Sequence, residues 1–253
     1  MPFSDVRRAR QPGPHDTSSV LRLPVDTLRP VTPPDEVDLP AVVDLLGALA
    51  YGELTAFERL ADDASLAPTI ADKAALAAMA VAEFNHFTLL RDRLDELGVS
   101  PDESMQPFVA ALEAFHERTA PGDWLEGLVK AYVGDGIASD FYREVSVYLD
   151  DSTRDLVLRV LEDTGHSQFA VDRVRAAIAA EPRRAGRLAL WARRLVGEAL
   201  SQAQRVAAER DSLTELLVGG VSRPGADLAE VGRMFARLTD NHTKRMATLG
   251  LSA

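Results

Sequence analysis

The chain has 253 residues and 27.4 kDa, 46% of it apolar, which is enough for one sizeable domain with an appendage. The absence of cysteine excludes disulfides, zinc ribbons, thiol catalysis and iron–sulfur ligation, so any metal site must use carboxylates, imidazoles and water, a donor set suited to iron or manganese. A net charge of −11 argues against bulk attraction to nucleic acid; no apolar run approaches a membrane span and no signal-peptide core opens the chain, so a soluble cytoplasmic protein is expected.

Residues 1–37 are rich in Pro, Arg and Asp without a sustained apolar period, and read as a disordered or extended arm. Residues 38–181 read as a four-helix bundle. Its first helix is predicted over 39–63 and its second over 68–97, opened by Pro68 and closed by Gly98. A connector of about 25 residues follows, with a short helix near 106–118. The third helix covers 123–149, and the fourth runs over 152–180, with Ser152 and Asp155 forming a weakened capping box. Residues 182–253 supply a basic amphipathic helix over 184–211 and a last helix over 226–248. These are expected to pack on the bundle or at a homodimer interface. No alternating strand is evident, so the fold class is all-α. Two helices, a long crossover and two more helices match the ferritin-like bundle topology.

The chemistry sits on the apolar stripes of the four bundle helices. Glu53 interrupts the stripe Val42, Leu46, Leu49, Phe57, Leu60. On the second helix Glu83 and His86 fall between Met79 and Leu90, and at i, i+3 they share one face. Asp135 interrupts Trp124, Leu128, Ala131, Ala138, Tyr142, and Asp163 and His166 interrupt Leu156, Val160, Ala170, Val174. Counting from the two interhelical turns at about 1.5 Å per residue brings all six groups to one level. Burying four carboxylates there without partners would be costly, and two divalent ions would neutralise them.

Other candidates are weighed against this set. Asp140 and Glu144 are expected on another face of the third helix, and Glu162 is an alternative to Asp163. His116 reads as a surface or capping residue and His242 as a surface or interhelical one. Tyr51, Tyr132 and Tyr142 flank the proposed site as packing residues. The basic helix carries Arg183, Arg184, Arg187, Arg193, Arg194, Arg205 and Arg210, read as a solvated or interface face in preference to a phosphate-contacting strip for RNA.

On Tyr-Gly-Glu53, Glu83-Phe-Asn-His86-Phe, Gly-Asp135-Gly and Asp163-Thr-Gly-His166, the chain resembles the ferritin-like di-iron carboxylate proteins over residues 40–180. More narrowly it is similar to the MiaE-like group, related to tRNA hydroxylases. The resemblance implies two iron ions, with manganese as the alternative metal. Glu53, Glu83 and His86 would surround one ion and Asp135, Asp163 and His166 the other, with Glu83 and Asp163 as bridges. It further implies a di-iron monooxygenase or hydroxylase with a separate redox partner, acting on a tRNA nucleoside or a small organic substrate. Ferroxidase or peroxide-handling activity and a non-catalytic scaffold are the alternatives. The family pattern has glutamate where this chain has Asp135 and Asp163, a shortening that is either offset by close helix approach at Gly134, Gly136 and Gly165 or leaves the second metal weakly held or other than iron.

Overall fold

The computed structural model describes residues 39–162, 166–220, 223–224 and 228–253; the predicted arm lies outside them. Helix α1 (Leu39–Asp63) continues through a 3₁₀ turn at Ala64–Leu66 and is followed by α2 (Ile70–Glu96), which packs along its length. The second helix starts two residues later than predicted. Thr69, rather than Pro68, provides its cap: the Asp72 backbone N–H donates to Thr69 Oγ1 at 3.1 Å, and the hydroxyl donates to Asp72 Oδ2 at 2.7 Å. Gly98, at φ +75°, turns the chain out of α2 in a conformation that glycine adopts without strain.

The crossover holds α3 (Pro101–Met105), a 3₁₀ turn and α4 (Val109–Arg118), where one short helix was expected. Asp123 caps α5 (Trp124–Ser146) by accepting from the Glu126 N–H at 3.0 Å. The predicted fourth helix is two helices. Asp150, not Ser152, caps α6 (Asp151–Val160), and α7 begins at His166 and ends at Ala180. Helix α6 stops at Val160, and Leu161 and Glu162 already lie outside any helix. The basic segment likewise divides into α8 (Arg184–Glu209) and α9 (Asp211–Val218). A two-residue antiparallel ladder, β1 (Gly219–Gly220) with β2 (Arg223–Pro224), precedes α10 (Leu228–Leu249).

The fold positions the site by splitting its apolar core into two layers. One layer joins Ala41 to Ala50 of α1 with Phe87 to Leu94 of α2, Val145 and Leu149, and Leu156 to Leu161. The other joins Leu60, Leu76 to Ala80, Leu125 to Val133 and Ala170 to Val174, with Leu188, Trp191 and Leu195 of α8. Leucines 46, 90, 94, 128, 188 and 195 are fully buried, each stabilising the fold by about 2 kcal/mol relative to exposure. The gap between layers contains Glu53 on the first helix and Glu83 and His86 on the second.

By length and composition the span 39–66 is apolar enough to cross a membrane, contrary to the sequence expectation, and 56% of its most apolar window is buried inside the bundle. Its apolarity is that of a core helix, with Ala41, Leu45, Leu46, Leu49 and Ala50 all buried.

Candidate metal centre

Three of the six expected groups converge. His86 Nδ1 lies 3.4 Å from Glu53 Oε2 and 3.4 Å from Glu83 Oε2, and one donor atom from each residue lies within 4.8 Å of the others. The arrangement follows from local structure. Glu83 and His86 sit one turn apart on α2, and Glu53 occupies the polar step of the α1 stripe that packs against them. Glu53 is 8% exposed and the other two are half-buried.

The electrostatics of the group favour a cation. Burial pushes the Glu53 carboxyl well above the usual carboxylate range; the His86 contact opposes this and the neighbouring Glu83 reinforces it. His86 is raised to about 10 by its contacts with Glu53 and Glu83, against the effect of burial. Its Nδ1 is nonetheless buried without a well-formed hydrogen bond. Two carboxylates facing one poorly satisfied imidazole nitrogen form a donor set that fits a divalent ion of the iron or manganese type.

The second half differs from expectation. Asp135 lines the same cavity, but it is exposed and stands outside the three-residue group. Ala138, predicted on the core stripe, is exposed as well, because the middle of α5 faces an open cavity instead of a packed partner. Asp163 and the side chain of His166 lie outside the described residues, as does Gly165. Gly134 has open space beside it, so no close approach depends on it. Gly136 instead makes room for Arg245 of α10, whose Nη2 lies 2.5 Å from Asp140 Oδ2. Asp140, expected on another face of the third helix, instead lines the same cavity from α5, whereas Glu144 turns away to Arg237, Nε to Oε1 2.7 Å. Glu162 is exposed at the cavity edge.

The cavity has a volume of about 390 Å³ and connects the triad with Asp135, Asp140 and Tyr142. Burial and the Glu53 charge push the Tyr142 phenol up, so it stays a neutral hydrogen-bond donor. Tyr51 points elsewhere, donating to Glu113 Oε1 at 2.9 Å. Sequence reasoning missed three further groups on the cavity, Arg59, Asp63 and Lys130, and misplaced a fourth, His116. At the end of α1, Arg59 and Asp63 carry the i, i+4 spacing of an ordinary surface pair, and that spacing was the one signal of a shared face. His116 is inside instead of capping a surface, and burial drives it down to about 3, with help from Lys130 and Arg59. His242 is buried too, at 9% exposure.

The molecule is thus an all-α bundle in which Glu53, Glu83 and His86 form a carboxylate–imidazole group that could hold a metal ion beside one cavity. A family model described as a ferritin-like domain of actinomycetes matches residues 38–220, and the chain belongs to that ferritin-like family. No curated protein matches the chain.

Proposed function

We propose that this chain is a metal-dependent, oxygen-activating hydroxylase whose substrate is a small organic molecule held in the cavity beside Glu53, Glu83 and His86. The observation that carries this reading is the cavity itself. A ferroxidase needs only a path for ions, whereas about 390 Å³ of space at the triad lies within the size range of small-molecule pockets. Glu53, Glu83 and His86 would hold one metal ion, and Asp135, Asp163 and His166 are proposed as donors to a second, with iron as the first choice and manganese as the alternative. Bound metal would supply the redox chemistry and the activation of dioxygen.

The chain's own groups supply the setting. Leu49, Leu60 and Met79 form an apolar wall that limits water at the triad. Tyr142, kept neutral by burial, offers a proton donor on the same cavity. Electrons would come from a separate redox partner.

The resemblance to the MiaE-like group supports hydroxylation as the reaction class. A tRNA substrate gains less support, because the arginines of the basic helix are engaged within the chain. Arg184 pairs with Glu181 at 2.7 Å, Arg187 with Asp123 at 2.5 Å and with Glu126, Arg205 with Glu209 at 2.9 Å, and Arg210 with Asp44. Arg183 also pairs with Glu181, Arg193 donates to the Ser252 carbonyl at 3.1 Å, and Arg194 lies 5.9 Å from the Trp191 ring centroid.

The test uses iron-loaded protein with a chemical reductant and ¹⁸O₂, scored by mass spectrometry over a panel of small organic acids, amides and nucleosides. Label in an organic product supports the proposal. Dioxygen uptake that tracks only ferrous oxidation, with no labelled product, replaces it with the ferroxidase reading.

A further inference from the structure

The four cavity groups that the metal reading does not use lie together by construction. Arg59 and Asp63 are one turn apart on α1, Lys130 follows Gly127 on α5, and His116 comes from α4. Asp63 is seated against Gly127, where a methyl group would stand 2.9 Å from its Oδ2, so the acid and the α5 backbone are in close approach. Lys130 is only 7% exposed, donates to the Thr119 carbonyl at 2.8 Å, and lies 5.5 Å from the Phe115 ring centroid.

Opposite charges here do not collapse onto one another. Among the described residues, neither Lys130 nor Asp63 takes part in an ion pair within 4.0 Å. Their mutual influence is still felt: Asp63 opposes the fall of Lys130, which burial takes down to about 8, and Lys130 opposes the rise of Asp63. Arg59 has only long contacts with carboxylates of its own helix, 3.7 Å to Glu58 and 3.9 Å to Asp62. Its Nε is buried with no hydrogen-bond partner. Unspent donors beside open space are the condition under which a ligand gains most from supplying an acceptor.

His116 contributes no charge. The Thr55 hydroxyl donates its one proton to the Gly52 carbonyl at 3.0 Å, so the 3.1 Å contact with His116 Nε2 has the ring nitrogen as donor. The imidazole is then neutral with Nδ1 as an acceptor, in agreement with its depressed pKa. With Arg59 and Lys130 positive, Asp63 negative and His116 neutral, the four groups carry a single formal positive charge, suited to a monoanion.

We propose that this end of the cavity is the anchoring site for a small organic monocarboxylate, held between the guanidinium of Arg59 and the ammonium of Lys130. As the anchor of a substrate oxidised at the triad it rests on the reading above; as a binding site it stands alone. The carboxylate fits Arg59 because a planar guanidinium pairs with two oxygens at once, and Lys130 adds a compact charge with donors to spare. Fixing one end there leaves the rest of the molecule in the same cavity as Glu53, Glu83 and His86.

Isothermal titration of the metal-free full chain at pH 7 with benzoate, benzamide and inorganic phosphate tests this. Benzoate should bind at least about tenfold more tightly than either of the others, and Arg59→Gln and Lys130→Met should each weaken it at least about tenfold without changing benzamide. Arg59 is 40% exposed, so Arg59→Gln keeps the fold and its result decides the matter where Lys130→Met does not fold. Benzoate bound no better than benzamide or phosphate, benzoate binding indifferent to Arg59→Gln, or no binding at all would overturn the proposal. Ferrous uptake by the same preparation separates the two readings. Lost benzoate binding with intact uptake condemns the anchoring site alone, and lost uptake with intact benzoate binding condemns the metal centre alone.

Discussion

The guanidinium of Arg245 on α10 crosses the face of Gly136 on α5 to reach Asp140, Nη2 to Oδ2 2.5 Å. This contact joins the C-terminal helix to the cavity wall, and both side chains are largely buried, at 16% and 14% exposure. A methyl group at position 136 would collide with the middle of the Arg245 side chain. Gly136→Ala is therefore expected to destabilise the protein by about 1–3 kcal/mol, the usual cost of overpacking. Hydrogen exchange gives the sharper check: amides of 228–249 should lose protection before those of α1 and α2. Uniform loss of protection would mean that Arg245 does not hold α10 to the bundle.

Asp44 anchors the junction of α8 and α9 to α1. It is 4% exposed and accepts from Arg210 Nε at 3.0 Å, from Arg210 Nη2 and from the Ser212 hydroxyl. Removing one partner of a buried pair strands the other, although Arg210 is 36% exposed and can recover some hydration. Asp44→Ala should cost about 2–3 kcal/mol in urea unfolding, somewhat less than a fully buried pair. A change below about 0.5 kcal/mol would place this network among ordinary surface contacts.

His116 gives a pH dependence with a definite sign. Its folded pKa, about 3, lies below the ordinary histidine value of 6.5, so the folded state holds fewer protons than the unfolded state between those limits. Its contribution to stability is intact above pH 6.5 and falls by about 1.4 kcal/mol per pH unit on acidification toward 3. The difference in stability between wild type and His116→Gln should accordingly shrink as pH is lowered from 7 to 4. A difference independent of pH would show that His116 is not buried in its neutral form.

Metal binding at the triad should release protons. His86, raised to about 10, carries a proton at pH 7 and must lose it to become a ligand, and Glu53 is shifted toward its protonated form. The apparent affinity for ferrous iron should rise about tenfold per pH unit for each proton displaced, from pH 6 to pH 8. Calorimetry in buffers of different ionisation enthalpy counts the protons directly, and a count of zero would contradict the ionisation state assigned to His86.

The half of the site on α1 and α2 was legible because both helices are long, regular and packed on each other, so the 3.6-residue period carries directly into space. Glu53, Glu83 and His86 stand out as acids and an imidazole in positions that periodicity reserves for core residues. The other half was less legible because α6 and α7 are separate helices, and a stripe traced across Val160 to Ala170 assumes a continuity that the backbone lacks. The exposure of Asp135 follows from the cavity beside α5, which no periodicity reveals. The cationic end of the cavity escaped notice for a related reason. Arg59, Asp63 and Lys130 look like surface charges near helix ends, and only the approach of α4 and α5 encloses them.

The central claim is that Glu53, Glu83 and His86 hold a metal ion, and anaerobic ferrous titration with metal analysis of the gel-filtered protein tests it most directly. At least one tightly held ion per chain is expected in the wild type, lost on Glu53→Gln and on His86→Gln, with the melting temperature of each metal-free variant close to that of metal-free wild type. A wild-type protein that retains no iron or manganese, or variants that retain as much metal as the wild type, would contradict it.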